Sequence, residues 1–221
     1  PGSILVRVNA VETGLLEEDL EAVAAAGLDA VVLPKPETAT DIQKADAILT
    51  RLERERKLEA GSIGIVAQAE SAAGVYRCYE ICAASPRMVG VNFGSAEDAD
   101  LCRDLGACWT PEGTTLLYAK SKVLLEARAA GLPHPTDGVY MRLNDDTGCR
   151  ADAEAALRLG YVGKAAVHPR QVPIFNEVFS PKPEEVAYYN EMLETFREGE
   201  KTGKGAVSFQ GKMIDAAMAK H

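Results

Sequence analysis

At 221 residues, with 47% hydrophobic and 26% charged side chains, the chain has ordinary globular composition, which excludes a disordered polypeptide. Asp and Glu number 33 against 24 Lys and Arg, leaving a formal charge of −9. So acidic a chain has no general electrostatic footprint for nucleic acid, and an anionic ligand must be held locally by an arginine, a metal ion or helix N-termini. The five cysteines (Cys78, Cys82, Cys102, Cys108, Cys149) form no C-x-x-C pair and are read as free thiols of a reducing compartment. Cys78 and Cys82, one helical turn apart, read as a helix face. No apolar run approaches the ~20 residues that span a bilayer, so the expected location is cytoplasmic, with no membrane partner.

Short β-branched runs alternate with helix-period segments. Ile4–Asn9 reads as a strand, followed by a helix over Glu17–Ala26 that stops at Gly27. Ala30–Pro34 is the second strand and Thr40–Leu58 a long amphipathic helix. Ser62–Ala69 is the third strand, with a helix over Ala72–Ala84, and Arg87–Phe93 is the fourth, followed by an acidic segment and a helix over Thr115–Ala130. Gly138–Leu143 is the fifth strand, with a helix over Ala151–Leu159, and Lys164–Val167 is the sixth. The remainder reads as helical, interrupted at Gly203–Gly205 and closed by a short helix from Lys212.

Six β/α repeats with crossover helices imply a parallel α/β sheet covered on both faces, either a doubly wound open sheet or a (β/α)8 barrel. No G-x-G-x-x-G follows the first strand, which removes the best support for the dinucleotide form of the open sheet. Arg7, Lys35, Glu70, Asn92, Asn144 and His168 fall at strand C-terminal ends, where a barrel keeps its active site. The expected fold is therefore a TIM-type barrel whose first two β/α units are absent from this chain. A barrel domain over 1–180 and a C-terminal helical lid over 181–221 are expected.

Glu70, at the end of the third strand, is either a carboxylate aimed into the barrel mouth or a first-turn acid complementing a helix dipole. Glu97, Asp98 and Asp100 follow a Gly-containing strand end and invite a hard cation such as Mg2+, which takes one or two protein carboxylates. The plainer alternative is helix capping by Ser95 or Asp98. Arg7 is an edge charge or a bidentate carboxylate clamp. Lys35, between Pro34 and Pro36, reads as solvated surface more readily than as part of the mouth. His168 is a candidate general base, although a strand-end His before Pro more often makes a structural hydrogen bond. Asp215 has no distinguishing spacing.

In order and spacing, these segments resemble the HpcH/HpaI aldolase–citrate lyase β-subunit superfamily, nearest its citrate lyase β-like, malyl-CoA and citramalyl-CoA lyase members. The resemblance rests on V-R-V-N at Val6–Asn9, V-L-P-K at Val32–Lys35, A-E-S-A-A-G at Ala69–Gly74 and the run from Phe93 to Gly106. It continues through A-K-S-K from Ala119, G-K-A-A-V-H-P-R-Q at Gly163–Gln171 and G-K-M-I-D at Gly211–Asp215. It implies an oligomeric (trimeric or hexameric) barrel with Mg2+ between two carboxylates. Glu70 matches the first ligand. Counting back from Asp104-Leu105-Gly106 gives Asp100 as the second, whereas counting forward from Phe93-Gly94 lands nearer Glu97 or Asp98; Asp100 is taken, with Asp98 in reserve. Arg7 matches the arginine that grips substrate oxygens beside the metal, and Asp215 an acid carried on a C-terminal lid.

The implied chemistry is Mg2+-dependent carbon–carbon cleavage of a 3-hydroxyacyl-CoA into acetyl-CoA and a small keto acid. A metal-dependent aldolase on free hydroxy-keto acids and a non-catalytic homologue are the alternatives. The L-D-L-E-D-type opening motif and the basic residues that help hold CoA in the family have no counterpart here.

Overall fold

The computed structural model describes residues 2–94, 96–216 and 218–220. The chain divides into two compact units, Pro1–Phe179 and Ser180–His221. No helix among the described residues is long and apolar enough to cross a membrane.

In the first unit, β1 (Leu5–Arg7), β2 (Ala30–Pro34), β3 (Gly64–Ala69) and β4 (Met88–Phe93) form a parallel sheet in the order β1-β2-β3-β4. Two isolated parallel bridges, Asn92 to Thr136 and Asp137 to Lys164, extend the same order by two positions. Six consecutive parallel positions run without the reversal of order that a doubly wound sheet shows partway across.

The fifth strand departs from expectation. Sheet pairing falls at Thr136 and Asp137, just upstream of Gly138–Leu143, where the Thr136 and Asp137 amides donate to the Val91 and Gly163 carbonyls. The chain then leaves the sheet because Tyr140 is drawn into a separate apolar cluster with Cys149, Ala153 and Phe175. The sixth expected strand touches the sheet at Lys164 and continues as irregular chain.

The helices follow from local chemistry. In α2 (Ala39–Arg56) the Asp41 carboxylate accepts from the Glu37 and Thr38 amides and the Thr38 hydroxyl, satisfying otherwise orphaned donors at the helix start. The expected Ala72–Ala84 helix is two short helices, α3 (Ala72–Tyr76) and α4 (Cys78–Cys82), broken at Arg77. Helices α1 (Leu16–Val23), α5 (Asp100–Leu105), α6 (Leu117–Ala129), α7 (Asp146–Leu159) and α8 (Gln171–Phe179) complete the unit.

One sheet face carries Val31, Leu33, Ile65, Ala67, Val91 and Phe93, all buried in the core with Ile42, Leu49, Leu101 and Val123. The registers Arg7–Val32–Val66 and Pro34–Gln68–Asn92 place Arg7, Gln68 and Asn92 together on the opposite, partly open face. Alternation alone left the direction of Arg7 open; the pairing assigns it to the face away from the helices.

The second unit holds α9 (Pro183–Lys201) and an antiparallel hairpin, β5 (Ala206–Phe209) with β6 (Lys212–Asp215). The hairpin replaces the expected terminal helix from Lys212. Gln210 and Gly211 have φ of 47° and 79°, which turns the chain back in two residues. The hairpin then lays Phe209 and Ile214 against Met192 and Phe196 of α9.

Candidate metal centre

Glu70 follows β3, and Ser71 then caps α3 by accepting from the Gly74 amide at 3.0 Å. The carboxylate of Glu70 accepts from Gln68 Nε2 at 2.6 Å. Close packing fixes its backbone: a Cβ on Gly94 would stand 2.4 Å from Glu70 Cβ, so a residue larger than glycine cannot occupy that strand end undisturbed. Gly74 is confined in the same way, since its Cβ would stand 2.7 Å from the Pro36 carbonyl oxygen.

Arg7, Asn9, Glu12, Lys35, Glu70 and Asp100 are among the residues lining one cavity of about 480 Å³. A second cavity, about 430 Å³, shares Arg7 and Glu70 and extends along Gln68, Asn92, Val139 and Met141. Glu70 and Arg7 therefore stand between a charged compartment and a more apolar one. Lys35 has the left-handed φ of 51°, a strained backbone for a residue with a Cβ, and its ammonium lies 3.6 Å from Asp100. Sequence reasoning favoured solvent for Lys35; the structure places it in the cavity wall.

Burial pushes the Glu70 carboxyl above the usual carboxylate range; the Asp100 charge adds to this, while Gln68, Arg7 and Lys35 act against it. Glu70 and Asp100 face one space with Arg7 and Lys35; the Lys35 ammonium pairs with Asp100, while Glu70, with a neutral amide as its hydrogen-bond partner, leaves room for a divalent cation beside it. Among the described residues no three His, Cys, Asp or Glu side chains converge; a carboxylate pair that leaves positions for water and substrate oxygens is a donor set of the kind Mg2+ takes.

The three acids after β4 separate clearly. Glu97 makes a two-pronged ion pair with Arg142, at 2.9 and 3.0 Å, which holds its carboxyl below the usual range. Asp98 is exposed, with φ of 57°. Asp100 opens α5 and lines the cavity with Glu70. The capping expectation does not hold for Asp98: the N-cap of α5 is Ala99, without a side-chain cap. Ser95 lies outside the described residues.

His168 is exposed, and its Nδ1 accepts from the Arg170 amide at 3.2 Å, the local structural role weighed against catalysis. Asp215 ends β6 in the second unit and accepts from the Met218 amide at 3.1 Å.

Sequence reasoning missed a buried ionic network. The Asp137 carboxylate is fully buried and accepts from Lys120 at 2.9 Å and Lys164 at 2.7 Å, and Lys164 also meets Asp152 at 2.5 Å. Burial acts to lower the Lys164 pKa, but Asp137 and Asp152 outweigh it and hold the ammonium charged. The signal was available in the lysines of A-K-S-K and G-K-A-A-V-H-P, which sequence alone did not tie to each other.

A model of the HpcH/HpaI aldolase/citrate lyase family matches residues 1–169. The chain is 36% identical over 211 residues to citrate lyase subunit beta of Escherichia coli, covering 96% of this chain and 68% of that one. It is 35% identical over 211 residues to a (3S)-malyl-CoA thioesterase of Cereibacter sphaeroides, with the same coverage. Among solved structures, CitE of Mycobacterium tuberculosis in complex with magnesium, acetoacetate and coenzyme A superposes with a TM-score of 0.72 at 27% identity, covering 98% of this chain and 74% of that one.

Proposed function

This chain belongs to the HpcH/HpaI aldolase/citrate lyase family, and we propose that it is a Mg2+-dependent carbon–carbon lyase. The substrate is a 3-hydroxyacyl-CoA, cleaved to acetyl-CoA and a small keto acid or formed from them. One observation carries this reading: Glu70 and Asp100, from different β/α units, line a single cavity together with Arg7. The magnesium and coenzyme A named for the CitE complex and the citrate lyase identity of the E. coli relative support it. The reading takes the six parallel positions as part of an eight-stave barrel and the second unit as a lid. It also takes the protein to assemble as a homo-oligomer.

Glu70 and Asp100 would hold Mg2+, which supplies Lewis-acid stabilisation of negative charge developing on substrate oxygens, typically worth several kcal/mol. Gln68 fixes the Glu70 carboxylate in place by its 2.6 Å hydrogen bond. Arg7 orients the carboxylate of the keto-acid half, which converts an encounter into an aligned complex. Lys35 adds a second cation on the charged side of the cavity, while Val139 and Met141 give the other compartment an apolar lining. In the cleavage direction the 3-hydroxyl loses its proton and its carbon becomes the 2-oxo carbonyl of the released acid. The electron pair of the broken carbon–carbon bond passes into the thioester enolate, which is then protonated at carbon. Asp215 is the group we assign to that proton exchange.

The test is incubation of the purified protein with malyl-CoA and citramalyl-CoA, with and without Mg2+, followed by chromatography of CoA species and keto acids. Equimolar acetyl-CoA and keto acid, dependent on Mg2+, is expected. Free CoA with an intact hydroxy acid would mean hydrolysis, the reaction named for the C. sphaeroides relative, and would overturn the lyase reading. Cleavage of free hydroxy-keto acids without CoA would replace it with the aldolase. Asp100→Asn and Asp98→Asn separate the two candidate ligands: Mg2+-dependent cleavage is lost in the first and kept in the second.

A further inference from the structure

Asp100 sits beyond a turn, Ala96 to Ala99, that has little regular structure to hold it. Among the described residues of that turn, Glu97 is the side chain hydrogen-bonded to a residue far along the chain. Its two carboxylate oxygens accept from Arg142 Nε and Nη2 at 3.0 and 2.9 Å. A half-exposed ion pair is ordinarily weak, but here the arginine end is fixed. The Arg142 guanidinium stands 4.8 Å from the ring centroid of Trp109. Trp109 in turn meets Tyr140 edge-on at 6.0 Å. Tyr140 is buried, donates its hydroxyl to Asp145 at 2.6 Å and accepts on its carbonyl from Gln171 at 2.7 Å. A planar fork that also stacks on an aromatic ring leaves its carboxylate partner one orientation.

We propose that Glu97, Arg142 and Trp109 form a positioning clamp that holds the β4–α5 turn so that Asp100 faces Glu70, and thereby sets the affinity for the divalent cation. The clamp rests on the two-carboxylate reading above and extends it. The three residues do not line the charged cavity, so their effect passes through Asp100. Trp109, the sole tryptophan, reports the clamp by its own fluorescence.

The experiment titrates purified protein with Mn2+, counting free ion by electron paramagnetic resonance, and records Trp109 emission in the same samples. Compared are the wild type, Glu97→Gln, Arg142→Met, Arg142→Lys and the exchanged pair Glu97→Arg with Arg142→Glu. Glu97→Gln and Arg142→Met are expected to weaken Mn2+ binding about tenfold, as loss of groups that orient metal ligands commonly does. Arg142→Lys, which keeps the charge but loses the fork and the stacking, falls between them and the wild type and remains informative if a bolder variant does not fold. The exchanged pair regains part of the affinity. Variants that shift Trp109 emission or melting temperature yet bind Mn2+ within about twofold of the wild type overturn the clamp and leave the metal site standing. Absence of Mn2+ binding in the wild type overturns both.

Discussion

Glu53 and Glu70 are the same side chain at opposite ends of one parallel sheet, and they are held in opposite ways. Glu53, on α2, lies where the strands begin. It accepts from both terminal nitrogens of Arg87 and from the Gly61 and Ile63 amides. Arg87 is completed by Asp46, Thr50 and the Ile63 carbonyl. Burial alone would raise the Glu53 pKa, but these partners hold it down to about 2. Glu70, where the strands end, has a neutral amide for its hydrogen-bond partner and an acid across the cavity, and its pKa is raised. A fully satisfied ionic cluster stabilises the fold. An unbalanced one is kept at a cost in stability and fits a site that awaits a cation and a substrate.

The contrast can be broken most severely at Glu70. Glu70→Gln is expected to lower Mg2+-dependent turnover about a thousandfold or more, measured as kcat/KM. The same substitution should leave the metal-free protein at neutral pH at least as stable as the wild type in thermal melts, because it removes a carboxylate whose charged form the fold disfavours. Next in size is Arg87→Met, which strands Glu53 and is expected to cost about 3–5 kcal/mol in denaturant unfolding, with Mn2+ affinity retained wherever the protein is folded.

The pH dependence sharpens the comparison. Glu53 has a depressed folded pKa, so its stabilising effect is complete above the unfolded value near 4.5 and is lost as pH falls through about 2. The stability gap between wild type and Glu53→Gln should therefore close across that window. Gly94→Ala, which crowds Glu70 without touching its charge, is expected to weaken Mn2+ binding by about tenfold, read by the same titration. The smallest effect is expected at Lys35. Lys35→Met removes a cation beside two carboxylates, so Mg2+ should bind more tightly by a factor on the order of three, while KM for the anionic substrate rises by a similar factor.

Much of the site was legible because its pieces are local. Glu70 follows a β-branched run, and Gly74 and Gly94 stand where backbone must approach backbone. Arg7 closes a short apolar strand. What remained ambiguous were residues whose role depends on a partner far along the chain. Glu97, Asp98 and Asp100 have the same chemistry within four positions, and only the arrival of Arg142 at one and of the Glu70 cavity at another tells them apart. The hairpin at Ala206–Asp215 reads as helical in sequence although Val207 and Phe209 alternate with Ser208 and Gln210 ahead of Gly211; a four-residue strand gives too short a window for periodicity to decide.

By itself the sequence determined that this is a β/α protein with strand-end acids, since helix and strand periods, caps and glycines act over a few neighbouring residues. The tertiary structure decided which acids share a cavity, which one is consumed by an arginine, and that Lys35 enters the cavity wall. Those outcomes depend on distance in space, and Coulomb attraction and desolvation act through space whatever the separation along the chain.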